Sequence, residues 1–322
     1  MKIGVIGCGR WGTCIAWYLD KLGCDVTLYG RQNSEKMHRL VTQRKNDFMT
    51  LPDSLKLTYD LSEVTSKDII IISISSQQLS SLCETLNSEG VKNKIFVLCM
   101  KGIEISTGRR LSQIVTDVVD KSNKVAVWLG PGHAQEFYAG IPNCMVIDSE
   151  DEDTKKYLVD TFSSELIRFY YGNDLIGNEI GAAAKNVIGI AAGMLDGLGL
   201  STLKGALMSR GTREIARLIA AEGGNELSAY GLCHLGDYEA TVFSPYSNNR
   251  RFGESFIRGE KSDYLAEGYY TVKALVEIAD KNGTELPICN AVYNILYENA
   301  DVSRELNGLF ARQIKNEFET SK

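Results

Sequence analysis

The sequence predicts an α/β chain, a doubly wound sheet followed by an all-helical C-terminal domain. Three observations carry this. A short β-branched strand, Lys2 to Ile6, runs directly into Gly7-Cys8-Gly9-Arg10-Trp11-Gly12, a G-x-G-x-x-G turn. An amphipathic helix follows, with Ile15, Ala16, Leu19 and Leu22 on one face. Strand and helix patterns then alternate up to Tyr170, and from Leu175 onward strands give way to long helical patterns. The boundary is placed near Tyr171–Asp174. This divides the chain into a Rossmann-type dinucleotide-binding part, residues 1–172, and a helical substrate and catalytic part, residues 173–322.

The first turn explains itself residue by residue. Gly7 permits the tight turn, Gly9 lets backbone approach a pyrophosphate, and Gly12 lets helix and strand pack closely. The helix N-terminus then offers free N–H groups and the positive end of its dipole to phosphate. The second strand, Asp25 to Tyr29, ends in Gly30 and Arg31. An acid at this end would bond the ribose 2′-hydroxyl of NAD; none is present, so NADP is allowed. Arg31 either faces a 2′-phosphate or stacks on adenine and stays solvated.

Asp68 to Ser75 is a near-continuous apolar strand, as expected where helices cover both faces. Ile95 to Cys99 and Val125 to Leu129 are further strands, ending in Met100-Lys101-Gly102 and Gly130-Pro131-Gly132-His133-Ala134. Ligands of open α/β sheets sit beyond such carboxyl ends, which makes Lys101 a candidate beside the alternative of plain solvation. His133 is either a turn residue or catalytic. Asn143–Ile147 and Ile167–Tyr170 read as strand, and the charged segment Asp148 to Lys156 between them as a solvated helix start.

The helical half is centred on Asn178 to Gly211. Lys185 lies in it between Ala182–Ala184 and Val187–Ile190. A lysine half-buried there either snorkels to water or, with a lowered pKa, serves as a proton donor. A Gly-rich bend, Gly193 to Gly199, is expected before the next helix, Leu203 to Glu222. Asp237 sits in a Gly-flanked loop, as a turn residue or as an acceptor for a lysine or a hydroxyl. Ser247-Asn248-Asn249-Arg250-Arg251 suits a phosphate or carboxylate, or else forms a solvated basic turn. Ala266 to Tyr297 reads as amphipathic helix and a packing or dimer surface.

Composition narrows the function. A net charge of -6 argues against a nucleic-acid surface, though a basic pocket for a small anion remains open. The 8 cysteines form no C-x-x-C pair, so zinc is not expected; buried reduced thiols of a cytoplasmic protein are. The chain opens on a strand, not a signal peptide, and no apolar run reaches the roughly 20 residues of a membrane span.

Taken together, the motifs resemble those of the soluble NAD(P)-dependent glycerol-3-phosphate dehydrogenases of bacterial type, over nearly the whole chain. They are GCGRWGT from Gly7, KGIE from Lys101, GPGHAQE from Gly130, AAAKNVIGIAAGMLDGLG from Ala182, SRGTREIARL from Ser209, GLCHLGDYEAT from Gly231, NNRRFG from Asn248 and EGYYTVKAL from Glu267. The resemblance implies hydride transfer between NAD(P)H and the C2 carbonyl of dihydroxyacetone phosphate, for glycerophospholipid synthesis, by a homodimer. It implies Lys185 as the general acid, Lys101 as a polarising or positioning group beside nicotinamide and substrate, and Asp237 as the acceptor holding Lys185 and a substrate hydroxyl. Thr241 and Asn249 are implied near the phosphate, with Gly130, Gly132, Ser247, Asn248 and Arg250 completing the substrate pocket. Gly7, Gly9, Arg10, Trp11, Gly12, Arg31, Ala134 and Glu267 are implied at the cofactor.

The chain departs from the family pattern at four places. Gly132 replaces a serine, and Asn248 replaces an arginine for which Arg250 could substitute. Arg10 replaces a small residue and could contact the pyrophosphate. The segment after Gly199 is one residue short and lacks an asparagine. Losing one charged phosphate contact costs roughly 1.5–3 kcal/mol where nothing compensates. Two alternatives follow: a related dehydrogenase for another small hydroxy-ketone, phosphorylated or not, and a cofactor-binding regulatory protein with little turnover. The second has no need of both lysines and Asp237.

Overall fold

The computed structural model of the chain describes residues 1–261, 266–314 and 316–317. In its first part strands and helices alternate: β1 Lys2–Ile6, α1 Arg10–Lys21, β2 Asp25–Tyr29, α2 Glu35–Gln43, β3 Lys56–Thr58, α3 Leu61–Thr65, β4 Ile69–Ile72, α4 Leu79–Ser88, β5 Ile95–Leu98, α5 Leu111–Val118, β6 Lys124–Leu129, α6 Ala134–Tyr138, β7 Asn143–Asp148, α7 Glu152–Phe162 and β8 Ile167–Tyr171. Helices follow: α8 Leu175–Gly197, α9 Lys204–Ala221, α10 Asn248–Ile257, α11 Glu267–Lys281, α12 Pro287–Tyr297 and α13 Val302–Phe310.

The strands form one sheet in the order β3-β2-β1-β4-β5-β6-β7-β8. All neighbours are parallel except β6 and β7. The order reverses between β1 and β4, which opens a crevice at their carboxyl ends. Alternation of side chains sorts the strands between two cores. Ile3, Val5, Ile69 and Ile71 pack with Trp128 and Phe162 on one face. Ile6, Ile70, Ile72 and Phe96 pack with Leu79 and Ile114 on the other.

A third core surrounds α8, which is buried from Gly177 to Leu195 and so has no solvent face. Its small residues allow neighbouring backbones to come close, α10 above all. A Cβ on Gly193 would lie 1.8 Å from the Arg250 carbonyl oxygen, and one on Gly253 would lie 2.1 Å from that of Ile190. The Gly-rich bend expected over Gly193 to Gly199 is therefore mostly helix: α8 runs through Gly197, and the chain turns only at Leu198–Leu200. The short segment after Gly199 is a 3-10 turn over Ser201–Leu203.

Other expectations change in detail. The Asp68 to Ser75 strand shortens to Ile69–Ile72 because the chain turns into a 3-10 turn at Ser76. Ala266 to Tyr297 is two helices, broken before Pro287, which opens α12. The segment Asp148 to Lys156 is not simply solvated. Asp148 and Lys155 are buried, and Asp148 accepts from Asp174 N–H at 3.1 Å and Asn178 Nδ2 at 2.8 Å, tying β7 to the start of α8. All 8 cysteines are free thiols, but Cys8, Cys24 and Cys144 are only half-buried. No helix among the described residues is long and apolar enough to cross a membrane.

Candidate active site

The Gly-rich turn joins β1 to α1 at the crevice. Gly7 has φ +117°, and a Cβ there would lie 2.1 Å from the Ser73 carbonyl oxygen beyond β4, so only glycine fits. A Cβ on Gly12 would lie 2.0 Å from the Gly7 carbonyl oxygen, whereas one on Gly9 would meet nothing within 4 Å. Gly9 caps α1 without a side-chain bond, so the first N–H groups of α1 are left for a ligand. An open cradle at Gly9 over a free helix N-terminus fits a dinucleotide pyrophosphate. Arg10 is exposed in the first turn, Arg31 is exposed just past β2, and the Trp11 ring lies 5.9 Å from that of Phe137. Ala134 is buried at the start of α6.

Lys101 follows β5, and its loop is held from two sides. Gln77 Nε2 donates to the Ile103 carbonyl at 2.8 Å, and Asn186 Nδ2 of α8 donates to the carbonyl of Lys101 itself at 3.2 Å. The Lys101 ammonium donates to the Gly130 carbonyl at 2.7 Å and to Asp237 Oδ2 at 2.6 Å. Lys185 Nζ lies 2.9 Å from that same Oδ2 and donates to Thr241 Oγ1 at 2.7 Å. Thr241 in turn donates to the Asp237 carbonyl at 2.7 Å. One buried carboxylate oxygen thus carries both ammonium groups. The Asp237 side chain is 1% exposed, that of Lys185 9% and that of Lys101 21%, so access to the cluster is from the Lys101 side. Lys185 does not snorkel. Burial lowers its pKa to about 8, with Asp237 opposing and Lys101 reinforcing the shift.

Asn249 is a connector: its Nδ2 donates to Asn186 Oδ1 at 3.0 Å, and its Oδ1 accepts from Gly268 N–H at 2.9 Å. Glu267, at the start of α11, accepts from Ser76 Oγ at 2.6 Å, and burial raises its pKa. Sequence reasoning had missed Asn186; the available signal was a polar residue next to Lys185 in an otherwise apolar helix. It had also missed Glu179 on the same helix. That carboxylate accepts from Arg110 Nη1 and Ser112 Oγ, each at 2.6 Å, and from Ser112 N–H at 2.8 Å.

Two expected pocket residues are committed elsewhere. Ser247 caps α10, accepting from Arg250 N–H at 3.3 Å. The Arg250 guanidinium donates to Asp196 at 2.8 Å, Glu254 at 2.9 Å and the Ser244 carbonyl at 3.2 Å, which leaves it a poor replacement for the missing arginine. Asn248 opens α10. Gly130 and Gly132 have φ of +125° and +135°. A Cβ on Gly132 would fall 2.4 Å from the Phe137 ring, so that ring takes the space a serine would need. His133 stands just before α6 as its N-cap, with Nε2 buried and unpartnered and its pKa lowered by burial. No three His, Cys, Asp or Glu side chains among the described residues group to hold a metal ion.

A large cavity lies away from this cluster. It measures about 1010 Å³ and opens between α8, α9, α12 and α13, on a floor that includes Met194, Leu207 and Val292. It contains no lysine, and its buried acid Glu214 is occupied by the N–H groups of Ile288 and Cys289.

A dinucleotide cradle beside a buried lysine–carboxylate cluster defines an NAD(P)-dependent dehydrogenase acting on a CH–OH group. Comparison with known proteins makes the class specific. The chain belongs to the NAD-dependent glycerol-3-phosphate dehydrogenase family, whose N-terminal model matches residues 2–155 and whose C-terminal model matches residues 174–307. It is 34% identical over 333 residues to a glycerol-3-phosphate dehydrogenase (NAD(P)+) of Prosthecochloris aestuarii, covering 99% of this chain and 100% of that protein. The corresponding protein of a Thermotoga strain is 36% identical over 327 residues, covering 99% of each. The crystal structure of glycerol-3-phosphate dehydrogenase from Coxiella burnetii superposes with a TM-score of 0.90 at 27% identity, covering 97% of this chain and 99% of that one.

Proposed function

We propose that the chain catalyses the reversible NAD(P)H-dependent reduction of dihydroxyacetone phosphate to sn-glycerol 3-phosphate, in the cytoplasm, for glycerophospholipid synthesis. The observation that carries the reading is the single Asp237 oxygen shared by Lys101 and Lys185 beyond the carboxyl ends of β5 and β6. When bound, NAD(P)H supplies the hydride. Lys185 gives a proton to the oxygen on which negative charge develops at C2 and takes it back in the reverse direction. Lys101 polarises and positions the ketone, and Asp237 holds both ammonium groups in place. Thr241 orients Lys185, and Asn249 and Thr241 flank the phosphate. Residues 1–172 hold the cofactor at Gly7, Gly9, Arg10, Trp11, Gly12, Arg31 and Ala134, with Glu267 reaching them from residues 173–322. A homodimer is also proposed. Supporting it is the open groove between α8, α9, α12 and α13, with Phe310 68% and Ile314 97% exposed beside it.

The engagement of Arg250 and the replacement at Gly132 favour a second reading, in which the substrate is another small hydroxy-ketone. The deciding experiment follows NADH and NADPH oxidation by absorbance with dihydroxyacetone phosphate. Turnover with a KM below about a millimolar supports the first reading. No turnover, in protein that binds the cofactor, sinks it and favours the second.

A further inference from the structure

The motif GLCHLGDYEAT contains more than its aspartate. His234 is 0% exposed, and so is Tyr238. A buried imidazole needs partners for both nitrogens. Here Nδ1 lies 2.8 Å from the Gly181 carbonyl, and Nε2 lies 2.8 Å from the Tyr238 hydroxyl. A neutral imidazole satisfies both only as the Nδ1–H tautomer, with Nδ1–H donating to Gly181 and the tyrosine O–H donating to Nε2. Burial agrees, holding the imidazole pKa down at about 4; Asp237 and Lys185 are the charged groups that act on it.

The two ends of this clamp have a purpose. In an α-helix the carbonyl of residue 181 is also the acceptor for the N–H of residue 185. His234 therefore grips the turn of α8 that carries Lys185. Gly181 permits the approach, since a Cβ there would already stand 3.0 Å from that of His234. The other end reaches α9, where a Cβ on Gly211 would lie 3.4 Å from the Tyr238 hydroxyl. Between the two residues in sequence lies Asp237, whose N–H donates to the His234 carbonyl at 3.0 Å.

We propose that His234 and Tyr238 are positioning residues: the pair locks the Asp237 loop onto the Lys185 turn of α8 and sets the contact between carboxylate and ammonium. The inference rests on the reading of Lys185 and Asp237 as the reacting centre. Neither ring touches the substrate.

The test uses the full-length protein and the variants Tyr238→Phe, His234→Ala and His234→Asn. Asparagine can offer an amide N–H to the Gly181 carbonyl in place of Nδ1–H. The first readout is the pH dependence of Lys185 acylation by trace acetic anhydride, followed by mass spectrometry, which needs no turnover. The second is kcat against the KM for NADPH. A loosened Asp237 stabilises the ammonium less, so the Lys185 titration moves to lower pH in Tyr238→Phe and further in His234→Ala. The kcat falls on the order of tenfold or more, with the KM for NADPH near wild type. His234→Asn recovers part of both. Should His234→Ala fail to fold, Tyr238→Phe, which loses one oxygen atom, decides alone. Unchanged Lys185 titration and kcat in folded Tyr238→Phe overturn the proposal. If wild-type protein does not reduce dihydroxyacetone phosphate, the functional reading fails while the acylation profile still judges the clamp.

Discussion

Lys185 shows how one residue settles between opposed effects. Burial disfavours its ammonium, Asp237 favours it, and Lys101 disfavours it; the balance lies at about 8, below the ordinary lysine value of 10.5. A proton donor for ketone reduction must be charged at the working pH, and one that titrates near it is well matched to the task. The direction follows. Reduction needs the ammonium, so its kcat holds below and declines above about pH 8, while alcohol oxidation needs the free amine and rises through the same range. Initial rates in both directions across pH check this, and two parallel profiles would refute the role of Lys185. The same scale explains Gly132. Its φ of +135° and the Phe137 ring beside it mean that restoring a serine would strain the loop, so the departure is built into the packing around it.

Between elements, the closest fit in the molecule is α8 against α10. Adding a methyl at Gly193 would put a carbon 1.8 Å from a backbone oxygen, which cannot rotate aside as a side-chain tip could. Gly193→Ala should therefore lower stability by about 1–3 kcal/mol or more, read as a shifted urea midpoint at unchanged slope. A loss below about half a kcal/mol would show that the helices can slide apart. This contact also marks what the sequence makes legible. The strand–turn–helix at Gly7 was plain because its chemistry is local, and β2 fell at its expected bounds, Asp25–Tyr29. The run of glycines from Gly193 to Gly199 misled, because glycine serves a bend and a close helix contact alike and only the partner helix decides. The role of Lys185 was open for a similar reason, since snorkelling and burial differ in what faces the helix. Asp148 and Lys155 looked solvated because charge is visible in sequence and a buried partner is not. Arg250 looked like a phosphate ligand until Asp196, far from it in sequence, was placed beside it. Asn186 and Glu179 were overlooked because each works through atoms of distant segments.

Across the whole molecule, the sheet and the helices meet through polar bonds centred on α8. Asp148 holds its start, Glu179 its second turn, Asn186 the carbonyl of Lys101, and Asp237 the two ammonium groups. The Glu179 bond, like that of Asp148, involves none of the reacting groups, so it isolates the structural part of this arrangement. Its carboxylate and the Arg110 guanidinium are 2.6 Å apart with side chains 5% and 10% exposed. Taking away one member of such a pair leaves a buried charge without its counterion, a change that costs about 3–5 kcal/mol. Glu179→Gln keeps the shape but loses the charge, and since both oxygens accept, its –NH2 must face a donor whichever way the amide turns. The expected result is a fall in stability of that order by urea denaturation. It should come with a lower kcat, because α5 follows the Lys101 loop and Arg110 and Ser112 lie at its start. Cofactor affinity should hold, since the Gly-rich turn lies on β1 and α1 and makes no bond to Glu179. A variant as stable as wild type would mean that the neutral hydrogen bonds alone join sheet to helix. Weakened cofactor binding at unchanged stability would mean that the cradle itself depends on this joint.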